Sequence, residues 1–176
     1  MARQQKAEKT DVAIVDKPVK SLFDRVAGYL DANDWNCHAD QEKGIFDMRV
    51  GTKHVSTRVI IDTDDMENWQ RVLVFGVFPV FVPENRRPAV LDAINRINYS
   101  MVYGNVEMDG RDGELRIRTV VEADRDLAEP LMERALHGNL NAANRYFAPL
   151  MAVAFGNAAP DTVLEMAAGQ DEKTLQ

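Results

Sequence analysis

Chemistry-bearing residues are scarce in this chain: one cysteine, Cys37, three histidines and three serines among 176 residues. A lone cysteine excludes an intramolecular disulfide. Cys37 and His38 are neighbours, so on an extended strand their side chains point to opposite faces and do not share a metal ion. Their adjacency carries no catalytic weight either, because Cys/His pairs that do chemistry meet through the fold. His54 and His137 have no partner at a metal-ligand spacing, and none of Ser21, Ser56 and Ser100 lies in a Gly-x-Ser-x-Gly elbow.

Long apolar runs are absent as well. Nothing approaches the ~20 residues that span a bilayer. Residues Met1–Asp16 lack the apolar centre of a signal peptide. With the single cysteine, these absences point to a cytoplasmic protein. Positive charge is outweighed: the net charge is −7 and the pI ≈ 5.0. Such a surface repels phosphate backbones, so nucleic acid is not an expected partner.

Phosphate and cation motifs fail on inspection. Gly110-Arg111-Asp112-Gly113 is shorter than a phosphate loop, and Asp112 would repel the phosphate. Asp62-Thr63-Asp64-Asp65-Met66-Glu67 begins like a calcium loop. Met66 then takes a ligand position, Glu67 the glycine position, and Leu73 the place of the closing glutamate. It reads as a solvated acidic turn. Carboxylates are plentiful, but no two are marked as a catalytic pair. No cofactor and no metal are expected.

What is present is pattern. A hydrophobic content of 45% and eight methionines suit a packed core, or adaptable partner surfaces. Residues 1–16 show little periodicity and read as a flexible tail. Pro18 suits a first helical turn, and Leu22, Phe23, Val26, Tyr29 and Leu30 recur at helical spacing toward Asn33. Trp35–Ala39 is a lead-in or a pairing segment. Strands are predicted over Ile45–Val50, Lys53–Asp62 and Trp69–Phe78. The last contains Val72-Leu73-Val74-Phe75-Gly76-Val77-Phe78, apolar nearly throughout, so it belongs in the middle of a sheet covered on both faces, or against a partner. Pro79 and Pro83 are expected to stop regular pairing around Val80-Phe81-Val82.

A second helix is predicted over Glu84–Met101, with Val90, Ile94, Ile97 and Met101 as its stripe. Arg86 and Arg87 near its start suit an exposed surface or an anionic partner. Past Gly104 the pattern alternates around a hairpin at Asp112-Gly113. A two-residue turn pairs Glu107 with Arg118, and a four-residue loop pairs Glu107 with Arg116. Both keep Met108 and Ile117 on the apolar face. A long helix over Leu127–Phe155 follows, with Gly138 and Pro149 as candidate kinks. The remainder, 157–176, reads as a C-terminal tail. The string is α-β-β-β-α-β-β-α in one domain over 17–156: an α+β fold, an antiparallel sheet with helices mainly on one face.

The run Asn95-Arg96-Ile97-Asn98-Tyr99, then Gly104-Asn105-Val106-Glu107-Met108-Asp109, then Asp112-Gly113-Glu114-Leu115-Arg116-Ile117-Arg118 resembles the YbjN-domain family of bacterial sensory transduction regulators. The resemblance covers roughly residues 19–155, with its motifs in the second half. It implies a fold similar to class I type III secretion chaperones, which are small acidic cytoplasmic homodimers that hold a partly unfolded segment of another protein. Pro149 and the unusually apolar Val72–Phe78 depart from the family pattern. The expected function is that of a non-enzymatic, protein-binding regulator or chaperone-like module acting as a homodimer, with a protein client or regulatory partner. Val72, Val74, Val77, Phe78, Val80 and Phe81 are its candidate dimer or partner interface. The alternative is a small-ligand sensor or an unrecognised enzyme using Asn95, Asn98, Glu107 and Arg118. Against it, Asn95 and Asn98 read as satisfying helix-end backbone groups.

Overall fold

The structure, a computed structural model, describes residues 20–124 and 127–172. The expected N-terminal tail and the helical turn at Pro18 lie outside the described residues. The elements are α1 (Leu22–Ala32), β1 (His38–Asp40), β2 (Ile45–Gly51), β3 (Ser56–Asp65), β4 (Gln70–Phe81), α2 (Arg87–Ser100), β5 (Asn105–Met108), β6 (Glu114–Ala123), α3 (Glu129–Ala154) and α4 (Val163–Glu172). The strands form one antiparallel sheet in the order β1-β2-β3-β4-β6-β5. The fold is α+β.

Local chemistry sets the boundaries. Ser21 accepts a hydrogen bond from the Asp24 amide and so caps α1, a contact typically worth about 1 kcal/mol. Pro88 sits in the first turn of α2, where its missing N–H would have had no helical acceptor. β4 runs on past Pro79, but its pairing with β6 is interrupted between Val77 and Phe81, so the proline occupies an irregularity. The hairpin takes the wider of the two registers, with Glu107 opposite Arg116 and Gly113 at φ +87° in the loop. α3 continues unbroken through Gly138 and Pro149. The ring of Tyr103 lies so close over Gly138 that an added Cβ would come within 3.1 Å of it.

Of the two readings of Trp35–Ala39, pairing is the one that holds: His38–Asp40 forms a short edge strand against β2. Two expectations are corrected. Residues 157–172 are not a tail, because a 3₁₀ turn at Pro160–Thr162 leads into α4, whose Val163 and Ala167 are buried in the core. Arg86 and Arg87 are half-buried clamps: Arg86 donates to the Val153 carbonyl and to Asn157 Oδ1, and Arg87 donates to the carbonyls of Val82 and Gly110. Guanidiniums spent on carbonyls are poorly placed to hold an anion.

The core has two apolar clusters beneath one face of the sheet. One joins α1, β2, β3 and the first half of α3 around Leu22, Phe46, Val59 and Leu136. The other joins α2, β5, β6, α4 and the second half of α3 around Ile97, Ile117, Leu150 and Val163. Asn139 of α3 stands between them, fully buried, and donates to the carbonyls of Val74 and Ile117 at 2.9 and 3.0 Å.

Candidate protein-binding face

Alternation along each strand divides the sheet. In β4, Gln70, Val72, Val74, Gly76 and Phe78 are buried, while Arg71, Leu73, Phe75 and Val77 are half-buried on the opposite face. β3 and β6 divide in the same way, with Val59, Ile61, Leu115, Ile117 and Val121 inward. The inward residues share the core clusters with the helices. Among the described residues, the other face carries no second layer. Near-continuous apolarity in Val72–Phe78 therefore has a physical counterpart: one face of β4 is covered by α3 and the other is open.

Registers place the open-face residues in four rows across the strands. The first row is Arg49, Arg58, Val77, Arg116 and Glu107. Asp47, Ile60, Phe75, Arg118 and Asn105 make the second, and Ile45, Asp62, Leu73 and Val120 the third. Asp64, Arg71 and Glu122 close the far end. Ile60, Leu73, Phe75, Val77 and Val120 form an apolar centre, and Val120 is 42% exposed.

Ion pairs fringe that centre. Arg58 binds Asp47 at 2.5 Å, Arg71 pairs with Asp64, and Glu107 accepts from Arg116 at 2.7 Å and Arg118 at 2.9 Å. The Arg116 guanidinium also lies 4.5 Å from the centre of the Phe75 ring. Burial pushes the Glu107 carboxyl up, but bonds from Asn105 and Arg116 and the nearby Arg118 outweigh it and hold the group below its usual range. Arg58 lowers Asp47 in the same manner. Asp62 behaves in the opposite way: burial, and then the charge of Asp64, raise its carboxyl above the ordinary value. It stands in the third row beside Leu73 and Ile45.

The six residues expected to form an interface do not act together. Val72, Val74 and Phe78 belong to the core of the chain itself, because their parity points them at α3. Val80 packs against the same core, Val77 lies on the open face, and Phe81 is 60% exposed beyond the irregularity at Pro79. Sequence reasoning missed Ile60, Leu73, Phe75 and Val120. The signal that could have found them is parity, counted from the buried partners of α3.

The polar alternative also separates. Asn98 does not end its helix: it donates to the Val106 carbonyl at 3.0 Å and accepts from the Val106 amide at 2.8 Å. The helix end is met by the Met101 amide and the Ser100 hydroxyl, both on the Ile97 carbonyl. Asn95 is exposed on α2, whereas Glu107 and Arg118 belong to the open face. Three clefts of ≈ 420, ≈ 400 and ≈ 450 Å³ lie beside Trp35 and Cys37, between α1 and Leu127, and beneath Tyr103, and none is lined by these four residues. Among the described residues, no helix is long and apolar enough to cross a membrane.

A family model described as YbjN, putative bacterial sensory transduction regulator, matches residues 22–150, from the start of α1 into the second half of α3. No curated protein matches the chain.

Proposed function

From the premise that the chain belongs to the YbjN family, a family of putative regulators, we propose that it is a non-enzymatic regulator that works by binding protein, as a homodimer. The observation that carries this reading is the open sheet face, with an apolar centre of Ile60, Leu73, Phe75, Val77 and Val120. A face of that composition loses water favourably when a second protein surface covers it, at about 25 cal/mol per Å² of apolar area. Arg58, Arg71, Arg116 and Arg118 of the face are engaged in ion pairs with Asp47, Asp64 and Glu107, and the clefts beside Trp35, beside Leu127 and beneath Tyr103 do not gather these groups. Chaperone-like holding of an extended client segment is the narrower form of the same reading.

Sedimentation of the full chain at tens of micromolar tests the dimer, and affinity purification from its native cell followed by mass spectrometry tests the partner. A dimer, together with one protein recovered in stoichiometric yield, is the expected result. A clean monomer that recovers nothing stoichiometric would overturn the proposal.

A further inference from the structure

The layout of charge on the open face is polar from end to end. Toward the turn between β2 and β3 lie Arg49, Arg58, Arg116 and Arg118, against Asp47, Glu107 and Glu114. Toward the other end lie Asp62, Asp64 and Glu122, against Arg71 alone. Five arginines meet six carboxylates over these strands, so the face is close to neutral on a chain whose net charge is −7. Two copies that approach through this face therefore meet without a large excess of like charge.

Self-complementarity fixes the arrangement. A twofold axis between two facing sheets, running across the strands, reverses strand direction and keeps each strand over its own counterpart. The first row of one copy then lies over the fourth row of the other, and the second row over the third. Arg58 comes over Asp64 of the other copy, Arg116 over Glu122, and Phe75 over Leu73. A twofold axis along the strands would set the arginine end over itself. Facing sheets pack about 10 Å apart with strand directions within about 30°, a gap that arginine and glutamate side chains bridge.

We infer that the open sheet face is the isologous interface of a homodimer, with a second copy of this chain laid across it in the antiparallel sense that brings Arg116 over Glu122 and Phe75 over Leu73. The inference rests on the homodimer reading above and assigns it a surface and an orientation. Glu122 is exposed, with no ion-pair partner among the described residues, so its replacement leaves the single chain intact.

The test is sedimentation equilibrium on the full chain and its charge variants, with far-UV circular dichroism to follow folding. Glu122→Arg and Arg116→Glu should each raise the dimer dissociation constant more than tenfold, because each sets like charges together twice. An equimolar mixture of the two should recover wild-type association, since every facing pair is then of opposite sign. Phe75→Glu should give a folded monomer. A dimer unchanged by Phe75→Glu and Glu122→Arg overturns this surface but leaves a homodimer through another one. Weakened variants whose mixture does not recover overturn the orientation, and hence the inference. A wild-type chain that is monomeric at tens of micromolar overturns the homodimer reading itself.

Discussion

Gly76 and Asn139 are fitted to each other at the centre of the molecule. A Cβ placed on Gly76 would lie 2.2 Å from Asn139 Oδ1, far inside contact distance. Asn139 cannot easily withdraw, because its amide nitrogen is bonded to two sheet carbonyls and it is fully buried. Its Oδ1 has no hydrogen-bond donor among the described residues, so the amide is held by one end only. Gly76→Ala should therefore cost about 1–3 kcal/mol in urea unfolding, the usual range for overpacking. In an Asn139→Ala background the same change should cost much less. A penalty equal in both backgrounds would show that the clash is not with Asn139. Asp62 offers a second test at this scale. Its folded carboxyl is raised above the ordinary value of 3.8, so the folded chain binds the proton more tightly than the unfolded chain. Stability then falls as pH rises through that interval, and the loss is complete at neutral pH. Asp62→Asn should raise the melting temperature at neutral pH. The gain should shrink as pH falls below the ordinary value, where the carboxyl is protonated in both states. A gain that persists there would assign the effect to packing.

At the scale of elements, Asn98 explains how a four-residue edge strand survives. The backbone of Val106 faces away from β6, where its N–H and C=O would otherwise be open to pairing with another chain. The Asn98 amide meets both, as a neighbouring strand would. Asn98→Ala should lose about 1–3 kcal/mol in chemical unfolding, mostly by stripping two part-buried backbone groups of partners. Asn98→Asp should be worse, since a carboxylate against the Val106 carbonyl repels it. If both variants unfold like the wild type, solvent serves the edge equally well. The same side chain marks where sequence stops being legible. An Asn-x-x-Asn at a helix end suggests capping by short-range rules, and nothing local says that a strand eight residues on will use the amide. β4 was legible as a central strand because it is apolar nearly throughout, but that property hides which residues face which layer. An alternating strand shows its polar face, and Val72–Phe78 shows none, so the interface residues expected from it fell mainly on the core side. α4 was missed for a related reason. Gly156 and Pro160 punctuate the chain before it, and among the described residues its deeply buried anchors are Val163 and Ala167. The hairpin facing was readable, because both registers give the same parity. The choice between them was left to the loop.

Across the whole molecule, the sheet and α3 tie two core clusters into one body. β4 and β6 lie in the interior of the strand order and pack under α3, whereas β1 is three residues long, exposed or half-buried, and among the described residues paired on one side only. Amides in the middle of β4 and β6 should therefore exchange with deuterium only through global unfolding, and those of β1 through local opening. The position of α4 makes this a test of cooperativity. Val163 is buried in the cluster that contains Ile97, Ile117 and Leu150, so Val163→Asp sets a carboxylate among apolar side chains. That should cost about 2–4 kcal/mol, by lost burial and an unmet charge. If the two clusters unfold as one, exchange in β4 and β6 should accelerate by the factor that this loss dictates, on the order of tenfold for each 1.4 kcal/mol. Protection in β2 and β3, which belong to the other cluster, should fall by the same factor. Faster exchange confined to α4 and α2 would instead mean that the second cluster opens alone, with Asn139 marking the line along which the halves part.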